Sequence, residues 1–105
     1  MAAAPDLSRV VVTVVDVVVP ADREDDLIAG FTELLASPQP DGMFSTELLR
    51  GAEGRWRVQT NWRDREALLA VRANGETPAV LALLDRLGLA HQHELFTVAA
   101  YHQPH

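Results

Sequence analysis

The segment Gly54–Leu69, GRWRVQTNWRDREALL, predicts a strand that ends on a tryptophan and turns at once into a helix. Every second side chain shares one face of that strand: Trp56, Val58, Thr60 and Trp62. A period of two is typical of a strand with one face against a core. Asp64 then stands at the expected N-cap of a helix, whose buried stripe comprises Ala67, Leu68, Leu69 and Val71. Two large rings so close together suit the wall of a cavity for a flat organic molecule, although core filling is the simpler role for a single tryptophan.

Length and composition predict one domain over residues 1–105, with residues 1–8 as a loose N-terminal arm. Hydrophobic residues make up 48% of the 105-residue chain, which is enough for a core. A domain this small buries only a modest fraction of its surface, so dimerisation would add stability. The first residues, MAAAPDLSR, lack the regions of a signal peptide, and the apolar run over residues 10–19 is too short to span a bilayer. We therefore expect a cytoplasmic protein.

Charge and cysteine content exclude several classes of function. The net charge is −6 and no basic cluster is present, so neither nucleic acid nor an anionic membrane surface is expected as a partner. The absence of cysteine excludes disulfides, thiolate catalysis and cysteine-ligated metal sites. His91 and His93 form an H-x-H pair, but a metal site needs a third ligand, and none is evident nearby. No metal site is therefore predicted.

The first half of the chain predicts a strand, a helix and a second strand. Residues 9–19, RVVVTVVDVVV, form a strand that is apolar on both faces, so its outer face needs a second layer, most simply a partner subunit. A helix is predicted over residues 23–37 with Asp22 as its cap. A strand over Met43–Arg50 places Phe44 on the face of Thr46 and Leu48, and residues 51–54 connect it to the next strand as a hairpin.

The second half predicts a helix in two pieces and a last strand. The helix that follows Trp62 is interrupted over residues 73–76 and restarts at Thr77-Pro78, a cap followed by proline at the first helical position. Gly88 ends it, and a strand is predicted over residues 93–102. The order is therefore β-α-β-β-α-β, the ferredoxin-like α+β plan in which helices cover one face of an antiparallel sheet.

Three stretches that together cover most of the chain resemble the antibiotic-biosynthesis monooxygenase family of dimeric α+β barrels. They are VTVVDVVVPADREDDLIAGF, GMFSTELLRGAEGRWRVQTNWRDREALLAVR and HELFTVAAYH, and NWRDREAL is the most specific piece. The short polyketide-tailoring members are the most similar. The resemblance implies a homodimer whose sheets press together, with a pocket between sheet and helices in each subunit. It also implies oxygenation of an electron-rich polycyclic phenol to a quinone by molecular oxygen, without flavin, haem or metal.

The resemblance transfers pocket roles to only some residues. Trp62 matches the family's pocket tryptophan and is expected to stack on the substrate. Several oxygenating members carry an asparagine four positions before that tryptophan, where this chain has Val58. Members that degrade haem carry a histidine near the position of Arg72, so haem degradation is disfavoured here.

The candidate site contains two residues for proton transfer and five for binding. His93, at the start of the last strand, and Asp16, in the valine-rich strand, are the candidate catalytic groups. Asp16 has two alternative roles, as an outward-facing carboxylate near a strand end or as a carboxylate paired with an arginine. The expected substrate-binding residues are Trp62, Arg72, Phe44, Tyr101 and Phe31. Gln59 and Asn61 are predicted on the opposite face of the sheet.

The leading hypothesis is a cofactor-independent monooxygenase that acts on an aromatic polyketide-like phenol in antibiotic or secondary-metabolite biosynthesis. In a second hypothesis the same pocket drives cyclisation, dehydration or decarboxylation of a polyketide by proton transfer alone. A third is a non-catalytic module that binds a ligand or stabilises a partner enzyme.

Overall fold

The computed structural model describes residues 7–73 and 78–102, and its elements follow the predicted order. They are β1 (Val11–Val18), α1 (Glu24–Leu35), β2 (Met43–Arg50), β3 (Arg55–Trp62), α2 (Arg65–Ala73), α3 (Ala79–Arg86) and β4 (His91–Thr97). A short 3-10 helix, Ala21–Arg23, precedes α1. Most of the predicted arm over residues 1–8 and the predicted cap at Thr77 lie outside the described residues. No helix within the described ranges is long and apolar enough to cross a membrane, and the cytoplasmic location stays a prediction.

The sheet has four antiparallel strands in the order β2-β3-β1-β4, which confirms the ferredoxin-like α+β plan. In its register Val15 pairs with Val58 on β3 and with His93 on β4, while Val11 pairs with Trp62. Directly paired residues share a face of the sheet, and successive residues alternate between faces. The odd-numbered residues of β1 and the even-numbered residues of β3 therefore face the helices.

Two apolar clusters form the core on the helix side of the sheet. The larger cluster comprises Val15, Val17, Val19, Leu27, Phe31, Trp56, Val58, Leu83, Leu84 and Leu89. The smaller cluster comprises Val11, Trp62, Ala67 and Leu68, with Met43 and Val71 packed against it. The two pieces of the predicted second helix pack in different clusters: α3 contributes to the larger cluster and α2 to the smaller one.

The other face of the sheet carries a mixture of polar and apolar side chains. Arg57 donates a hydrogen bond from Nε to Asp16 Oδ1 at 2.8 Å, and this bond raises the pKa of Arg57 above its ordinary value. Asn61 donates to Ser45 Oγ at 2.8 Å. The predicted placement of Gln59 and Asn61 on this face is confirmed by the register.

Three local predictions were wrong. Asp22 makes no side-chain capping bond. It lies inside a 3-10 turn over residues 21–23, and Arg23 is the N-cap residue of α1. A register shift between Met43 and Ser45 adds one residue to β2, so Met43, not Phe44, lies on the face of Thr46. The last strand begins at His91 and ends at Thr97, whereas it was predicted over residues 93–102.

The capping role predicted for Asp64 is confirmed. The backbone N–H of Ala67 donates to Asp64 Oδ1 at 2.8 Å, three residues into the start of α2. This hydrogen bond is the main reason why the pKa of Asp64 lies below its ordinary value. The cap holds α2 directly behind Trp62, the last residue of β3.

Asp64→Ala is expected to lower the melting temperature at neutral pH. The carboxyl pKa is lower in the folded chain than in the unfolded one, so the cap stabilises the fold above the ordinary pKa of about 3.9. The stabilisation is lost as the pH falls through the folded-state pKa. The melting temperatures of the native chain and of Asp64→Ala should therefore converge at acid pH. Thermal unfolding followed by circular dichroism measures this. Asp64→Asn keeps an oxygen acceptor and is the control for charge, and an equal loss for Asp64→Ala at neutral and acid pH would contradict the assignment.

Candidate functional site

A cavity of about 670 Å³ lies between the sheet and the helices. Its volume falls within the range of about 300–1,000 Å³ that is typical of small-molecule sites. Most of its wall is apolar, from α1, α2, α3 and the loop over residues 37–40. Its polar and aromatic lining includes Thr13, Phe31, Thr46, Thr60, Trp62, Arg72 and His93.

The cavity lies between the two core clusters. On β1, Thr13 stands between Val11 of the smaller cluster and Val15 of the larger one. The register pairs Thr13 with Thr60, and Thr60 with Thr46, so three threonines form a row across β1, β3 and β2. We call these three residues the threonine row. Their short side chains leave space above the sheet and place hydroxyl groups on the floor of the cavity.

Trp62 is held as a fixed wall of this cavity. Its indole Nε1 donates a hydrogen bond to Thr13 Oγ1 at 3.0 Å, and only 6% of the residue is exposed. The hydroxyls of Thr46 and Thr60 are hydrogen-bonded to each other at 2.9 Å. Trp56, by contrast, belongs to the larger core cluster, with the Arg50 guanidinium 4.5 Å from its ring centroid. The two tryptophans therefore have different roles, cavity wall for Trp62 and core for Trp56.

Four of the seven predicted site residues line the cavity: Phe31, Trp62, Arg72 and His93. The other three do not. Asp16 lies on the opposite face of the sheet, bound to Arg57. Phe44 is the extra residue at the irregularity in β2. Tyr101 follows the end of β4 and is 57% exposed.

Three titratable residues line the cavity, Arg72, His93 and Glu94, and the first two offer most of its reactivity, because the register places Glu94 on the opposite face of β4. Arg72 lies in the last turn of α2 and has no ion-pair partner among residues 7–73 and 78–102, so its guanidinium is free to hold an anion. His93 Nε2 lies 2.7 Å from His91 Nδ1, and His91 Nε2 lies 2.9 Å from Asp85 Oδ1. Within the described part of the chain, no group of three or more histidine or acidic side chains is arranged to hold a metal ion.

The threonine row was missed as part of the site. Threonine has a high preference for strands, so each one was counted only as a strand residue. The available indication was a hydroxyl at the centre of an otherwise apolar face in each of two strands, at Thr13 and Thr60.

Residues 10–82 match the sequence profile of the antibiotic biosynthesis monooxygenase family. This span is well over half of the chain, and the chain belongs to that family. No protein of curated function matches it significantly.

Solved structures share the fold at low sequence identity. SnoaB from Streptomyces nogalater, a cofactor-independent oxygenase, is 20% identical with a TM-score of 0.64, over 89% of this chain and 96% of SnoaB. A protein from Caulobacter crescentus CB15, provisionally assigned as an antibiotic biosynthesis monooxygenase, is 19% identical with a TM-score of 0.68, over 90% and 93% of the two chains. A protein of unknown function from Nitrosomonas europaea is 16% identical with a TM-score of 0.68, over 94% and 98%. At these identities the likeness establishes the fold.

Thr13→Val is expected to destabilise the fold, because it leaves the Trp62 indole N–H without its acceptor. The expected loss in the free energy of unfolding is about 1 kcal/mol, the low end for a buried donor, since water in the cavity can replace the hydroxyl in part. Urea denaturation measures the loss. Thr97→Val is the matched control, on the same face of the sheet at an exposed position. Equal stability of the two variants would show that the hydrogen bond contributes nothing.

Proposed function

We propose that the protein is a cofactor-independent monooxygenase that converts an electron-rich polycyclic phenol, of the aromatic polyketide type, to a quinone. The observation that carries this proposal is the convergence of Trp62, Arg72 and His93 on one largely apolar cavity. Membership of the monooxygenase family and the fold shared with SnoaB support it. In this proposal residues 1–105 act as one domain.

The cavity suits each step of that reaction. A flat ring system stacks against Trp62 and the apolar wall that includes Phe31. His93 accepts a proton from the substrate, and the electron pair of the broken bond stays on the ring system. Arg72 holds the resulting phenolate. The electron-rich carbon then reacts with molecular oxygen, so that a CH₂ group becomes a carbonyl and the second oxygen atom leaves as water.

One observation favours a second candidate function, in which proton transfer alone drives cyclisation, dehydration or decarboxylation. Val58 occupies the position where several oxygenating relatives carry asparagine. It is 1% exposed in the larger core cluster and adds no polar group to the cavity. A base at His93 and a cation at Arg72 are sufficient for proton transfer without oxygen.

Oxygen uptake with a phenolic anthrone, without added flavin, haem or metal, is expected to match quinone formation one to one. His93→Gln should lower kcat by a factor on the order of 10² or more, because it removes the proton acceptor. Its melting temperature should stay unchanged, since His93 is exposed at the cavity. Gln92→Ala, on the opposite face of β4, is the matched control.

The other outcomes of this experiment identify the alternatives. Turnover of a polyketide without oxygen uptake would refute the monooxygenase proposal and support the proton-transfer function. Binding of the anthrone, measured by quenching of tryptophan fluorescence, with no turnover of either kind would favour a ligand-binding module.

We also propose that the protein works as a homodimer in which a second copy covers the face of the sheet opposite the helices. We call this face, which carries Asp16, Arg57 and Phe96, the open face. Apolar side chains lie exposed there, with Val18 at 66% and Phe96 at 46%. Asp16 and Arg57 form an ion pair on this face, so these two charges neutralise each other, which lowers the cost of covering them.

Light scattering is expected to give twice the chain mass of 11.5 kDa for the native protein. Phe96→Arg should shift it to the monomer, because the new charge would be buried between the two sheets. Leu69→Arg is the matched control, since Leu69 is 50% exposed on α2, away from the open face. A native chain that is monomeric at micromolar concentration would refute the proposed dimer.

A further inference from the structure

Three titratable side chains form a continuous chain of hydrogen bonds that ends at the cavity. Asp85 Oδ1 lies 2.9 Å from His91 Nε2, and His91 Nδ1 lies 2.7 Å from His93 Nε2. Asp85 is 65% exposed and His91 16% exposed, by side chain, while His93 lines the cavity. The chain therefore runs from solvent to the proposed substrate site.

Two features of the backbone bring these groups together: the alternation of side chains on β4 and the turn at Gly88. His91 and His93 are two residues apart on β4, so both project to the helix face beside Val17 and Val15. Gly88, at φ 72°, turns the chain at the end of α3, and the N–H of Gly88 bonds the carbonyl of Asp85 at 3.0 Å. This turn returns the strand past the last turn of the helix and brings His91 to the Asp85 carboxylate.

The chemistry of the groups determines where each hydrogen lies. An ionised carboxylate only accepts, so His91 must carry its hydrogen on Nε2. A neutral His91 then offers Nδ1 as an acceptor, and His93 must donate from Nε2. The two imidazole planes differ by only 16°, which suits a bond between an N–H and a lone pair that both lie in their ring planes. Nδ1 of His93 is left with a lone pair and no partner among the described residues.

We propose that Asp85 and His91 are positioning residues that hold His93 in the tautomer whose Nδ1 accepts the substrate proton. This inference rests on the proposed function, in which His93 is the proton acceptor. The proton moves from the substrate to His93 Nδ1, and its bonding electrons stay on the substrate. The imidazolium that forms is hydrogen-bonded to His91, which is in turn bonded to the negative charge of Asp85. The same logic orients the histidine of serine-protease triads.

The position of the shared hydrogen is the first test. In a uniformly ¹⁵N-labelled native chain at alkaline pH, where imidazoles are neutral, scalar coupling across the hydrogen bond should connect His91 Nδ1 with His93 Nε2. The hydrogen should be attached to His93 Nε2. Attachment to His91 Nδ1 instead, or absence of the coupling, would overturn the inference, because His93 would not be held with a free lone pair on Nδ1. This readout needs no substrate.

Kinetics of variants is the second test, with kcat calculated per folded protein from circular dichroism, because unfolded protein alone would lower the apparent kcat and leave KM unchanged. Asp85→Ala and His91→Phe should each lower kcat on the order of tenfold with KM unchanged. That effect is far below the one in a buried triad, since Asp85 is largely exposed and its charge is screened. Asp85→Asn, which keeps an oxygen to accept from His91 Nε2, should recover part of the loss. Asp26→Ala removes an exposed carboxylate elsewhere, on α1, and should leave kcat unchanged.

The two tests separate failure of this inference from failure of the proposed function. Activity of the native chain with unchanged kcat in Asp85→Ala and His91→Phe would overturn the positioning role and leave the proposed function standing. The expected hydrogen position in a chain that turns over neither an anthrone nor a polyketide would contradict the proposed function, and the role of His93 as a base would fall with it.

Discussion

The pairing of β1 with β3 is the constraint on which the rest of the structure depends. β1 is hydrogen-bonded on both sides, to β3 and to β4, so its register fixes the faces of three strands at once. With Val11 opposite Trp62, every odd-numbered side chain of β1 lies on the helix side of the sheet. A slip of one residue would move Thr13 and Trp62 to different faces of the sheet and remove the hydrogen bond between them. The floor and the indole wall of the cavity therefore depend on this register.

The cavity results from a gap between two well-packed regions. Valines and leucines fill the space over one end of the sheet, and Trp62 with Ala67 and Leu68 fills it over the other. Between them the threonine row is too short to reach the helices. α2 and α3 lie on the same side, and both helices contribute to the wall. Arg72 on α2 and His93 on β4 bring titratable groups to the cavity from different elements, and this arrangement underlies the proposed reaction.

Much of the fold was predictable because alternation and chain breakers are local properties. The bounds of β2 and the cap at Asp64 follow from a few neighbouring residues, and both predictions are confirmed. The site was harder to predict, because it depends on which face each residue takes. β1 is apolar on both faces, so its pattern alone gives no face for Asp16. One extra residue in β2 moved Phe44 out of the alternation, and no local pattern marks such an insertion. The link from Asp85 to His91 joins a helix to a strand, and only the turn at Gly88 brings them together.

The threonine row also has a consequence for how such a protein can diverge. Threonine and valine have nearly the same shape, so exchanges between them change the polarity of the floor with little change in its outline. Thr46 and Thr60 bond each other, and replacing both removes a donor and an acceptor together, which leaves no orphaned group. Exchanging hydroxyl for methyl can thus change the pattern of hydrogen-bonding groups on the floor of the cavity, while the backbone and the indole wall stay as they are.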